Sequence, residues 1–274
     1  MKMSLYSLFR HLVLASLTII VLMPFVWMLS ASTKPLDEIF VNELRFLPER
    51  WAFAENYHKA LTQAPLLKYM LNGLIVTVGI FLCQVAVAVP AAYALAKLRF
   101  KGKDIMFSAV LLCLMIPPHA VSIPWYYLMF KLGFLDSYAA LIAPFSISVF
   151  GIYLMRQFFK TVPDDLVHAA RIDGYTEFAI VWRVMLPTAI PALVSFGIFS
   201  IVAHWNDYFW PLIVVSSQDY FTPPLGVVAF TNDEAGNDYG PLMAAATLII
   251  APLIIAYLLA QKRFIEGITM SGMK

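Results

Sequence analysis

The chain has 274 residues, 61% of them apolar and only 13% charged, with a mean hydropathy of +0.77. Soluble domains carry roughly 25% charged residues, so this composition excludes an ordinary soluble protein and places the chain in a lipid bilayer. The net charge of +2 decides little; where the charges fall decides more.

A membrane-crossing helix needs about 20 mostly apolar residues. The first such run, 12–29, follows Lys2 and Arg10. It is long for the apolar part of a secretory signal and lacks a small-x-small cleavage site, so it reads as a retained helix over 8–30. Residues 31–70 are polar and broken by Pro35, Pro48 and Pro65. A second helix is expected over 71–96, ended by the basic cluster Lys97, Arg99, Lys101 and Lys103. A third starts near Ile105 and meets Pro117-Pro118, where the missing N–H groups demand a break or kink. The aromatic segment 124–137 suits the membrane–water boundary. A fourth helix is expected over 138–159 and a polar stretch over 163–191. A fifth helix follows over 189–215, then a loop over 216–240, a sixth helix over 241–259 and a basic tail. The chain thus divides into 1–70, with the first helix and an outer segment, a core over 71–262 and a tail over 263–274. Cys83 and Cys113 fall inside apolar runs without metal-ligand spacing and read as small packed hydrophobes.

Six helices put both termini on one side. That side carries Lys2, Arg10, the 97–103 cluster, Arg156, Lys160, Arg171, Arg183, Lys262, Arg263 and Lys274. The other side has fewer basic residues and most of the acidic ones. The excess of Lys and Arg marks the cytoplasmic face, so both termini, the 97–104 loop and the 160–190 stretch are cytoplasmic, and 31–70 and 216–240 face outward.

The cytoplasmic stretch reads PDDLVHAARIDGYTEFAIVWRVMLPTAIP from Pro163 to Pro191. Pro163 suits a helix start, Asp164 and Asp165 favour the positive end of the helix dipole, and Gly174 suits its end. Leu166, Ala169, Ala170 and Asp173 follow one another at i, i+3, i+4 and i+7 and share a face. Two alanines would leave that face narrow enough for another protein to approach the backbone. His168 adjoins it, one turn after the aspartates. A helix lying on the membrane surface is the plainer alternative.

Here the residues carry a resemblance. Ala169-Ala170-x-x-Asp173-Gly174, followed by Leu186-Pro187, is similar to the signature loop of binding-protein-dependent ABC importer permeases, in which Glu-Ala-Ala precedes Gly by three residues and a Leu-Pro pair comes later. His168 stands where the family usually has Glu, which puts the usual acidic contact in question, although His168 can still hydrogen-bond. The segments MIPPHAVSIPWYYL (115–128), WNDYFWPL (205–212) and RFIEGITMSGMK (263–274) resemble the carbohydrate-importing, maltose-type and glycerol-phosphate-type branch. The tail departs from the commoner Gly-Ala-Val-Lys ending.

The resemblance implies an all-α membrane protein with six transmembrane helices, the transmembrane domain of a type I ABC importer, whose coupling helix docks on an ATPase. It implies a second homologous permease, an ATPase dimer that holds the ATP and Mg, and a periplasmic or extracellular sugar-binding protein, all in a bacterial or archaeal inner membrane. This chain has no GxxxxGK[ST] phosphate loop, so the ATP chemistry is expected in another chain; no cofactor, metal or nucleic acid is expected on this one. It is not expected to be an enzyme.

Polar residues inside the membrane are candidates for function. His204, Trp205, Asn206, Asp207 and Tyr208 combine rings, an amide, a carboxylate and a hydroxyl in the way sugar binding requires, with Asn206 foremost; interhelical glue and interfacial anchoring are the alternatives. Asn72, Thr77 and Gln84 are open to both readings. His119 reads as a partner for carbonyls freed by the two prolines. An intramembrane protease would need a paired constellation such as HExxH, and HAARI at 168–172 is not one. A self-sufficient secondary transporter would show internal repeats, and none is visible. For substrate, a sugar, a polyol and a glycerol phosphate compete; a phosphate calls for buried Arg or Lys, which the expected helices almost lack, and this favours a neutral sugar.

Overall fold

A computed structural model describes residues 5–41, 43, 45–231 and 238–272. The described chain is helical: α1 (Leu5–Ala31), α2 (Phe53–Thr62), α3 (Leu66–Lys97), α4 (Lys103–Leu114), α5 (Ser122–Lys131), α6 (Tyr138–Ile142), α7 (Val149–Thr161), α8 (Asp164–Ile172), α9 (Glu177–Ile180), α10 (Leu186–Thr188), α11 (Ile190–Trp205), α12 (Phe209–Val214), α13 (Pro223–Gly226) and α14 (Tyr239–Gly272). A π-helical turn, Val181–Met185, joins α9 to α10.

Three helices, α1, α3 and α14, are each long and apolar enough to cross a membrane. Three further candidates are bent pairs: α4 with Pro118–Lys131 at 97°, Tyr138–Phe145 with α7 at 43°, and Glu177–Thr188 with α11 at 85°. Among the described residues, the six expected spans are therefore matched by up to six candidates, three of them broken.

The breaks have local causes. Pro117 and Pro118 stop α4, as expected. The expected single helix over 138–159 is interrupted at Pro144, which lacks an N–H, and α7 restarts on Ser148, whose hydroxyl accepts from Gly151 N at 3.0 Å. The expected helix over 189–215 breaks after Trp205, where Asp207 Oδ1, just ahead of α12, accepts from Trp210 N in its first turn at 3.2 Å. The expected sixth helix proves longer and continues through the expected tail. The side chains of that tail, and part of the 216–240 loop, lie outside the described residues.

The chain divides into two compact units, Met1–Leu67 with Gly226–Pro252, and Lys68–Leu225 with Leu253–Lys274. In the first, the run expected as unbroken loop contains α2, whose Asn56 Nδ2 donates to Ser32 O and Lys34 O at 3.0 and 2.8 Å. Gly240 lies so close that a Cβ there would come within 2.6 Å of Asn56 Oδ1. Lys34 is buried, with its Nζ donating to Arg45 O and lying 4.8 Å from the centre of the Trp27 ring. By contrast, α1 exposes apolar side chains on every side, as a lipid-facing helix must.

Apolar clusters of described residues pack the second unit. One gathers the C-terminal part of α3 (Val89, Ala92, Tyr93), α7 (Met155, Phe159), α8 (Val167, Ala170) and the 180–192 stretch. A second joins Ile80, Leu141 and Trp210. A third joins Ala88, Ile152 and Phe196. At Gly151 the helices approach closely: a Cβ there would lie 2.4 Å from Phe196 Cζ.

Candidate docking helix and pathway cleft

The 163–191 stretch contains the short helix α8, as its caps require. Pro163 sits one residue earlier than expected, at the N-cap, with Asp164 and Asp165 in the first turn. At the other end Gly174 has φ of 82°. Tyr175 N donates to Ala170 O at 3.0 Å across it and Gly174 N to Arg171 O at 3.1 Å. That is a Schellman ending, and only glycine takes its left-handed position without strain.

The expected common face of α8 divides in two. Val167 and Ala170 are buried in the first apolar cluster, whereas Leu166, His168, Ala169 and Asp173 are exposed. The two alanines thus do not form one flat docking surface. Ala170 seats the helix on its own chain and Ala169 faces out. Ile172, one turn after Ala169, is 87% exposed, and Phe178, beyond the end of α8, is 69% exposed. In the sequence an apolar residue beside a polar run looks like ordinary packing; the available signal for Ile172 is that it falls off the Val167–Ala170 stripe. Leu186 is half-buried against the same cluster, and Pro187 is exposed just before the 85° elbow. The Leu-Pro pair therefore belongs to the elbow and not to the exposed face of α8.

Ion pairs fasten this region. Lys97 Nζ donates to Val162 O and to Asp164 Oδ1, both at 2.5 Å. Arg171 Nε donates to Glu177 Oε1 at 2.7 Å, and Tyr93 Oη donates to Glu177 Oε2 at 2.5 Å. The Lys97 ammonium holds the Asp164 carboxyl below its ordinary value. Arg171, then Tyr93, hold that of Glu177 below its own against partial burial. The last carbonyls of α3 also meet cations: Arg156 Nε donates to Leu95 O, and Lys103 Nζ to Ala96 O and Leu98 O.

The polar candidates in the membrane separate clearly. Asn72 is fully engaged: its Nδ2 donates to Asp219 O and Phe221 O at 2.9 Å each, and its Oδ1 accepts from Tyr138 Oη at 2.6 Å. Gln84 Nε2 donates to Phe145 O at 2.9 Å and its Oε1 accepts from Ser200 Oγ at 2.7 Å. These two hold elements together, the structural one of their two readings. Thr77 is buried as well. Trp205 is buried, Asn206 Nδ2 donates to Val202 O on its own helix at 2.8 Å, and Tyr208 is half-exposed.

Of the four residues 205–208, only Asp207 lines a cleft of about 270 Å³. Its walls include His119, Trp125, Phe145, His204 and Trp210. Trp125 meets Phe145 and Trp210 edge-on at 5.4 and 6.0 Å between ring centres, and Phe145 lies 4.8 Å from His204. Trp210 Nε1 donates to Ala140 O and fixes that ring. Trp125 and Phe145 come from segments that the sequence offered only as interfacial or apolar. The helix breaks at Pro118 and Pro144 bring them here, and no spacing announces that.

Aromatic walls with a carboxylate, imidazoles and a hydroxyl can bind a polyhydroxylated ring, and an exposed helix fastened to a membrane helix can meet a soluble partner. Residues 85–269 match the family model described as "Binding-protein-dependent transport system inner membrane component". The chain is 32% identical to the arabinooligosaccharides transport system permease protein AraQ of Halalkalibacterium halodurans over 262 residues, covering 95% of this chain and 94% of that one. It is 28% identical to the sn-glycerol-3-phosphate transport system permease protein UgpE of Escherichia coli over 272 residues, covering 97% and 96%. The fold matches a chain in the crystal structure of a bacterial ABC transporter involved in the import of the acidic polysaccharide alginate, with a TM-score of 0.83 at 24% identity, covering 96% of this chain and 99% of that one. The fold is that of a type I ABC importer transmembrane domain, and the chain belongs to the family of inner-membrane components of binding-protein-dependent transport systems, a transport permease and not an enzyme.

Proposed function

We propose that this chain forms half of a transmembrane pathway for a neutral sugar, paired with a second homologous permease, and that α8 docks on an ATPase subunit which binds the ATP and Mg. A binding protein delivers the sugar to the outward segments. ATP binding closes the ATPase pair, and the docking helices carry that movement into the membrane. Both termini lie in the cytoplasm, as the distribution of Lys and Arg favours. The observation that carries the docking reading is α8 itself: one stripe seated on the chain's own core, and an opposite face with Ala169 and Ile172 open.

The cleft supports the substrate reading. Among the described residues no lysine or arginine lines it, so it offers rings and neutral or acidic partners that suit a sugar and oppose a phosphate. The similarity to UgpE keeps a glycerol phosphate as the competing reading.

Affinity purification from mild detergent with mass spectrometry of the retained chains tests the assembly. An ATPase and a second permease are expected; recovery of this chain alone would overturn the reading. Uptake into proteoliposomes of an arabino-oligosaccharide mixture against sn-glycerol 3-phosphate then separates the two substrate classes.

A further inference from the structure

Tyr93 and Lys97 lie one turn apart on α3 and so project from one face of it. Tyr93 reaches Glu177, just beyond the C-terminal end of α8, while Lys97 reaches Asp164, its first residue. Glu177 in turn holds Arg171, in the last turn of α8. The docking helix is therefore tied at both ends to the last two turns of a single membrane helix. Between the ties, Val167 and Ala170 pack in a cluster that includes Val89 and Tyr93.

This arrangement has a mechanical consequence. Apolar contact is non-directional, and a nine-residue helix seated on one valine and one alanine could slide or unravel under load. Hydrogen bonds to ionised groups are directional and among the stronger ones. We propose that Tyr93 and Glu177 are positioning residues that carry displacement of α8 into α3, so that the pathway and the ATPase respond to each other. This rests on the docking reading given above and adds to it the route of transmission: movement enters the membrane through α3 by way of Glu177, and not only through the Leu186–Pro187 elbow that follows α8 in the chain.

Tyr93→Phe removes one hydroxyl from a buried ring and keeps its packing, whereas Glu177→Ala acts at a side chain that is 46% exposed. The complex with its ATPase, reconstituted in proteoliposomes, is assayed for ATP hydrolysis with and without its binding protein. The ratio of the two rates reports coupling, because linkage between outer and inner sites is reciprocal. Each variant is expected to lower that ratio about tenfold, the scale of a lost hydrogen bond to a charged group, with the ATPase still retained. The double variant is expected to be no worse than the single ones, as residues acting through one contact must be. A merely structural role would reduce the yield of complex and leave the ratio unchanged. A wild-type ratio in either variant with the complex intact would overturn the proposal, as would additive effects. Loss of the ATPase from the variants alone would make the bridge part of docking and not of transmission. Failure of the wild-type chain to hold an ATPase would overturn the docking reading itself.

Discussion

Ala169 and Ala170 are adjacent in the chain and face different surroundings: Ala170 is 5% exposed within the cluster that includes Val89 and Tyr93, while Ala169 is open to solvent. The same substitution at the two positions should therefore act in different ways. Ala170→Glu forces a larger, charged side chain into a packed site, at a cost of about 1–3 kcal/mol from overpacking alone, and should lower the amount of folded chain in the membrane. Ala169→Glu should leave that amount unchanged and release the ATPase. Quantitative blotting of membranes beside affinity purification reads both effects.

Gly151→Ala places a Cβ 2.4 Å from the Phe196 ring. The Phe196 ring or one of the two helices must shift, at about 1–3 kcal/mol. The expected result is a lower Tm in detergent, recovered in part when Phe196→Leu is added, because the pair shares one space.

Gln84 and Asp207 should fail differently. Gln84→Leu leaves the Ser200 hydroxyl and the Phe145 carbonyl without their partner, a loss of about 1–3 kcal/mol, and should reduce the membrane level and uptake in proportion. Asp207→Asn and Trp125→Ala alter the cleft, and should lower uptake per molecule of assembled complex. Transport rates normalised to complex content separate the two outcomes.

The ties at α8 depend on two carboxylates whose values are held below the ordinary 3.8 of Asp164 and 4.5 of Glu177. A lowered folded value means that their stabilisation is complete above the unfolded value and is lost as pH falls through the folded one. Amide exchange across 164–177, corrected for intrinsic rates, should thus show constant protection of α8 above about pH 5. It should weaken only on further acidification, and Glu177→Ala should flatten that response.

Much of this was legible in the sequence because the signals are local. Hydropathy located the candidate spans, and Pro163, the paired aspartates and Gly174 located α8 to within a residue. The breaks at Pro144 and after Trp205 were missed because an apolar run conceals a break that Ser148 and Asp207 repair by accepting from first-turn N–H groups. The split of the Ala169–Ala170 pair was missed because period alone locates a stripe without saying which side of it the rest of the chain covers. The roles of Asn72 and Gln84 depend on partners more than 60 positions away, Tyr138 and Phe145, which no local pattern reveals. The same holds for the cleft, whose walls come from three separate stretches of the chain, 118–125, Phe145 and 203–210.

The most direct measurement places a photo-crosslinking residue at Ala169, and in a second variant at Val167, in cells that carry the full transporter. The account predicts an adduct between position 169 and an ATPase chain, identified by mass spectrometry, and none from position 167, which is buried against its own chain. Adducts from position 169 to phospholipid alone would contradict it and would place α8 on the membrane surface.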